Sequence, residues 1–221
     1  MPLGSHQPWV QWTWVHHHLG LIRHDLWEHL LLTVLAVGIG LAITFVLAAL
    51  ARAWPPLGSG LLVACGALYA IPSLALFALL VPVTGFTTTT AEIGLVGYTL
   101  LILLRNLLTG LGSVPEDVRD AATGMGFTRT RLALRVELPL ALPALFAGIR
   151  VATVTTIGLV TVTSLIGQGG LGAILYDGFQ RDFRTEEVLG AVLAIALALA
   201  VDLLLVGAER LVTPWVPRRA P

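Results

Sequence analysis

The sequence predicts an all-α integral membrane protein with about five transmembrane helices and one charged loop outside the membrane. Three observations predict it. Of 221 residues, 56% are hydrophobic and 12% charged, where a soluble domain carries about 25% charged residues. Mean hydropathy is +0.86. Several uncharged runs approach or exceed the roughly 20 residues needed to cross a bilayer. The charge that remains is gathered: residues 111–139 hold Glu116, Asp117, Arg119, Asp120, Arg129, Arg131, Arg135 and Glu137, eight of the 26 charges.

Residues 1–25 are polar and aromatic, with Trp9, Trp12 and Trp14 before His16, His17 and His18. A basic start followed by an apolar core is lacking, so this is not a signal peptide. Tryptophan at this density predicts a segment lying at the membrane interface. Three adjacent histidines do not converge on a metal as an i, i+4 pair does, so no metal ligand is assigned.

Leu30–Leu50 is uncharged over 21 residues and forms the first span, ended by Arg52. After Pro55 and Pro56, Leu57–Val83 is the second uncharged run. It is interrupted at Ile71-Pro72-Ser73, and the carbonyl freed there needs a partner, either Ser73 or a neighbouring helix. Pro72 and Ser73 are therefore candidates for a bend lining a pathway, against a harmless kink.

Thr84–Thr90 reads as a loop, and Ile93–Leu108 as the third span, with Arg105 and Asn106 near its far end. Leu140–Ile166 is the fourth, with Arg150 about 15 Å along it. That depth favours a paired or cavity-facing Arg150. Thr153 and Ser164, among other hydroxyls there, either line the same pathway or allow close packing. Gly167–Gly172 reads as a flexible turn, Tyr176–Glu187 as polar, and Val188–Ala208 as the fifth span. Asp202 in that span is a partner for Arg105 or Arg150.

All 13 basic residues are arginine. A phosphate-binding GxxxxGK[ST] loop needs lysine, so this chain does not contain one. Zero net charge gives no case for nucleic acid. The single cysteine, Cys65, reads as small core filler. With the 111–139 loop cytoplasmic, the inner arginines are 52, 119, 129, 131, 135, 210, 218 and 219, against 23, 181 and 184 outside. This eight-to-three bias places the N-terminus outside and the C-terminus in the cytoplasm.

The loop itself reads as helix, break, helix. A helix starts near Pro115 and ends at Gly124 and Gly126. Thr128 caps a second helix from Arg129 to Val136, with Arg129, Leu132 and Val136 on one face. Leu138-Pro139 closes it, because a residue before proline avoids helical angles.

The same stretch resembles the EAA loop of ABC importer permeases, E-A-A, three residues, Gly, nine residues, Ile-x-Leu-Pro. Here it is Asp120-Ala121-Ala122, three residues, Gly126, nine residues, Val136-Glu137-Leu138-Pro139, with Asp for Glu and Val for Ile. The resemblance implies a type I importer permease whose loop forms a coupling helix seated on an ATPase. Asp120, Ala121, Ala122, Gly126, Phe127, Thr128, Arg129, Arg131, Leu138 and Pro139 are then the coupling residues. The pathway residues would be Pro72, Ser73, Arg105, Asn106, Arg150, Thr153 and Ser164.

Over residues 26–212 the chain is similar to permeases for osmoprotectants, through His29-Leu30-x-Leu32-Thr33, Ile71–Leu80, Arg105-Asn106, Glu137–Pro143, Ala147–Val154 and Leu165–Gly172. The glycine turn is shared with methionine-type permeases. This resemblance implies import of a compatible solute such as glycine betaine or choline across the cell membrane. It implies a second permease subunit, identical or paralogous, two ATPase subunits that bind the ATP and Mg, and an extracytoplasmic binding protein or lipoprotein. This chain would hold no cofactor. The domains expected are an N-terminal segment 1–25, a permease domain 26–212 and a cytoplasmic tail 213–221. The alternatives are a permease for another small polar solute, an ATP-independent channel or carrier suggested by the intramembrane charges, and a metal-binding membrane scaffold suggested by the histidines.

Overall fold

In the computed structural model, residues 8–215 are described, and they contain helices and no strands. A short helix α1 (Trp12–His17) leads into α2 (Leu19–Ala53), 35 residues long. At 1.5 Å per residue α2 is about 52 Å long, well beyond the roughly 30 Å hydrocarbon layer. The expected boundary at residue 25 falls inside it, because no proline interrupts the first turns and Gly20, one residue in, does not break them. Arg218 and Arg219 of the tail lie outside the described residues.

The second apolar run forms two helices, α3 (Pro55–Ala70) and α4 (Ser73–Thr84), bent by 93°. Pro55 and Pro56 start α3 where missing N–H groups are harmless. Pro72 imposes the corner, and Ile71 before it is extended. The freed Ile71 carbonyl accepts from the Tyr98 hydroxyl, so a neighbouring helix, not Ser73, satisfies it. Tyr98→Phe is expected to destabilise the protein by about 1–3 kcal/mol, since it strands a carbonyl away from water. A lower melting temperature in detergent checks this, and an unchanged one would deny Tyr98 that role.

α5 (Thr88–Gly112) starts at Thr87, whose hydroxyl accepts from the Thr90 N–H. The expected threonine loop is thus partly the first turn of α5. α8 (Leu138–Val162) continues through a 3₁₀ turn (Thr163–Ile166) into the glycine turn. α9 (Leu171–Arg181) then folds back on α10 (Arg184–Val212). α9 was not foreseen: it is short and begins inside the glycine cluster.

α5 is the central helix, packed chiefly on α8 and α2. Close approach is possible because small residues meet there. A Cβ on Gly40 would strike Thr99, and one on Gly110 would strike Ala141 and Ala144. Ala48, Cys65, Leu104, Leu107 and Leu145 form the core between these helices, and Cys65 fills it as a free, buried thiol. The glycine turn is packed rather than flexible. Gly170 has φ +45°, and a Cβ there would collide with the Asp25 carbonyl and the His29 N–H of α2.

The N-terminal segment docks on the α9–α10 turn. The Gln11 N–H donates to Thr185 Oγ1 at 3.0 Å, Trp14 stacks on His18, and Arg184 lies over Trp9. The other end of the bundle gathers Arg52, the 111–139 loop and Trp215. The first and last described segments therefore lie at opposite ends of the bundle.

A charged unit at one end of the bundle and paired charges along its wall

The loop folds as α6 (Glu116–Gly124) and α7 (Arg129–Leu132), with a π turn (Ala133–Glu137) joining α7 to α8. α6 ends as the glycines predict. Gly126 takes φ +81°. The Gly126 N–H donates to the Thr123 carbonyl at 2.9 Å and the Phe127 N–H to the Ala122 carbonyl at 3.2 Å. That pair of bonds is a Schellman stop, which needs a left-handed residue at the Gly126 position. Thr128 caps α7 as expected, accepting from the Arg131 N–H at 3.3 Å.

Leu138-Pro139 does not close the unit. Leu138 is helical (φ −62°, ψ −47°), and the helix runs on into α8. The π turn makes this possible: the Leu138 N–H reaches back five residues to the Ala133 carbonyl. A widened turn accommodates a proline that neither donates nor tolerates a tight carbonyl four residues before it. The extra residue also rotates the chain, so the expected Arg129–Leu132–Val136 face is split. Arg129 and Leu132 line one cleft, and Val136 lines another with Arg135 and Pro139.

On α6, Ala122 is buried while Asp120 and Ala121 are exposed, as is Gly126 just beyond its end. Met125 is 70% exposed, an outward apolar point that no motif or spacing singles out. Arg131 lies 4.5 Å above the Phe127 ring and holds it. Behind this face Glu137 is 1% exposed and contacts Arg52 of α2 and, at 3.0 Å, Arg119 of α6. Sequence reasoning missed Arg52, Arg119 and Glu137 as a group. The signal was a glutamate inside an otherwise apolar helix start.

The predicted pathway residues do not come together at one point. Arg150 forms a two-pronged bond with Asp202, Nε to Oδ1 at 2.8 Å and a terminal nitrogen to Oδ2 at 2.9 Å. This resolves the partner of Asp202 as Arg150. Glu209 adds a carboxylate oxygen at 3.8 Å. The pair sits in an open groove of α8 and α10, beside Val151 and Thr155. Arg105 is exposed on α5, with no ion pair among the described residues. The Asn106 amide donates to the Ile102 carbonyl, and its Cβ occupies the space a Cβ on Gly148 would need. Thr153 donates to Ile149 and Ser164 to Thr161. Pro72 is exposed at the corner and Ser73 half-buried.

Two further groups were missed. His29 is fully buried, its Nε2 within 3.0 Å of the Ile157 carbonyl. Glu92 on α5 has both carboxylate oxygens shielded, without a hydrogen-bond partner among the described residues. In the histidine run, His17 and His18 each engage a carbonyl one turn back through Nδ1. His24, Asp25 and Glu28, along one side of α2, bring a ligand atom each within 4.8 Å of one another.

Comparison with known proteins gives this arrangement a context. Residues 40–217 match the family described as binding-protein-dependent transport system inner membrane component. The osmoprotectant import permease protein OsmW of Salmonella typhimurium is 35% identical over 200 residues, 88% of this chain and 93% of that protein. The carnitine transport permease protein OpuCB of Listeria monocytogenes is 33% identical, over 88% of this chain and 89% of that one. The choline transport system permease protein OpuBB of Bacillus subtilis is 32% identical, over 88% and 90%. Among solved structures, the inward-facing MetNI methionine ABC transporter superposes with a TM-score of 0.72 at 21% identity, covering 90% of this chain and 98% of that one. At that identity the likeness concerns the fold. With its helical bundle, its charged unit at one end and a match over most of its length, the chain belongs to the family of binding-protein-dependent transport system inner membrane components.

Proposed function

We propose that this chain is the permease subunit of an ATP-driven importer for a compatible solute carrying a quaternary ammonium group, such as glycine betaine, choline or carnitine. The observation that carries the reading is the exposed α6, ended by its Schellman stop at Gly126 and presenting Asp120, Ala121 and Met125 outward. A short helix of this kind, fixed to the bundle and free on its outer face, is a docking element for the ATPase that binds ATP and Mg. The permease identities of relatives spanning nearly the whole chain support the solute class.

In this reading the end with α6 faces the cytoplasm and the end with α1 faces outside, in keeping with the arginine bias. A binding protein or lipoprotein delivers solute to the outer end. A second permease subunit, identical or paralogous, faces this one across the pathway. Exposed Arg105 and the open Arg150–Asp202 groove support that, because polar groups at membrane depth need protein or water, not lipid, beside them. Pro72, Ser73, Thr153 and Ser164 are further candidates for the pathway wall, and Asn106 stands at the α5–α8 contact beside it. Selectivity for the trimethylammonium head resides mainly in the binding protein, where aromatic faces attract such cations.

Competition tests the solute class. Proteoliposomes holding the complete importer are expected to take up labelled glycine betaine, with choline and carnitine competing and methionine not. Uptake of methionine instead would overturn the substrate assignment.

A further inference from the structure

We propose that Glu137, held between Arg52 and Arg119, is the link through which movement of the docked α6–α7 unit reaches α2 and α5. This rests on the reading of α6 as the ATPase-docking element. The chain connects that unit only to α5, through Ser113–Pro115, and to α8, through the π turn. Nothing covalent joins it directly to α2. The charged triad supplies the missing connection. Arg52 is on the last turn of α2, Arg119 on α6, and Glu137 on the turn that opens α8. Arg119 also donates to the Leu111 carbonyl at the end of α5, at 2.6 Å. One carboxylate and two guanidiniums therefore tie three membrane helices to the docking helix.

The physical setting makes this tie stiff. Glu137 is 1% exposed, while Arg52 and Arg119 keep 40% and 34% of their side chains accessible. A buried charge that loses its partner is strongly unfavourable, so the three groups move together or the unit comes apart. The arginines border a cleft of about 500 Å³ beneath α6 and α7, which leaves room for the unit to tilt. The π turn that carries Glu137 holds one residue more than an α-helical turn requires, and such turns concentrate at functional sites. Glu137 acts here as a positioning residue and touches no solute.

The test compares ATP hydrolysis with uptake in the complete reconstituted importer. Glu137→Gln keeps the shape and removes the charge. It is expected to hydrolyse ATP within about twofold of wild type while uptake falls about tenfold or more, and Glu137→Asp recovers part of the uptake. The triple variant Arg52→Gln, Arg119→Gln, Glu137→Gln strands no charge, and it is expected to assemble normally and remain uncoupled. Equal loss of hydrolysis and uptake in Glu137→Gln would overturn the proposal, as would wild-type uptake by the triple variant. Failure of every variant to assemble with the ATPase would also overturn it, by making the triad a folding element only. A wild-type complex without ATP-driven uptake would strike the underlying reading of the chain rather than this link.

Discussion

Gly126→Asp is expected to abolish ATP-driven uptake while the protein remains in the membrane at wild-type abundance. Gly126 sits at φ +81°, where aspartate is tolerated better than most residues. A Cβ there meets nothing within 4 Å in this chain, so α6 and its stop persist. The new carboxylate instead projects from the exposed side of the unit, next to Met125. Burying an unpaired charge in an interface costs about 2–5 kcal/mol, or a loss of roughly thirtyfold to several thousandfold. Uptake by the reconstituted variant, together with co-purification of the ATPase, measures it. Normal uptake would show that this face docks nothing. Gly126→Ala adds no charge and is expected to lose far less.

The second large effect concerns Arg150 and Asp202. Removing either partner, as in Arg150→Ala or Asp202→Ala, leaves a single unpaired charge in the groove of α8 and α10. Each is expected to lower the yield of folded protein severalfold. The double variant Arg150→Met, Asp202→Leu removes both charges and is expected to restore the yield, since neutral replacement of a pair is often tolerated. Uptake by the double variant should nevertheless stay at least about tenfold below wild type, because the groove loses its polar wall. Quantifying membrane protein against uptake separates the two effects. Wild-type yield from both single variants would show that water already solvates the pair. Wild-type uptake by the double variant would exclude the groove from the pathway.

The spans were legible because lipid imposes a simple demand, about 20 apolar residues with few charges. The corner at Ile71–Ser73 and the stops at Gly124 and Gly126 were legible because proline and glycine act locally. The interior relations were not. Nothing local tells that the Tyr98 hydroxyl reaches the Ile71 carbonyl, or that the Gly170 turn presses on α2 at Asp25 and His29. The Arg150–Asp202 pair spans 52 residues of sequence, and composition offered Arg105 as an equal partner. Pro139 misled because the restriction on the residue before proline is a bias and not a ban: Leu138 is helical at φ −62°, ψ −47°, and the π turn relieves the separate clash of the proline ring with the carbonyl four residues back. The Arg52–Glu137–Arg119 triad joins three segments far apart in sequence, and a glutamate at an apolar helix start does not by itself name its partners.

The most direct measurement is solute uptake with components withheld one at a time. Proteoliposomes are prepared with this permease alone, with its ATPase, and with its ATPase and binding protein, each with and without ATP. An ATP-driven importer subunit predicts glycine betaine accumulation only in the complete system with ATP. Flux through the permease alone, independent of ATP, would contradict that and identify a channel or carrier.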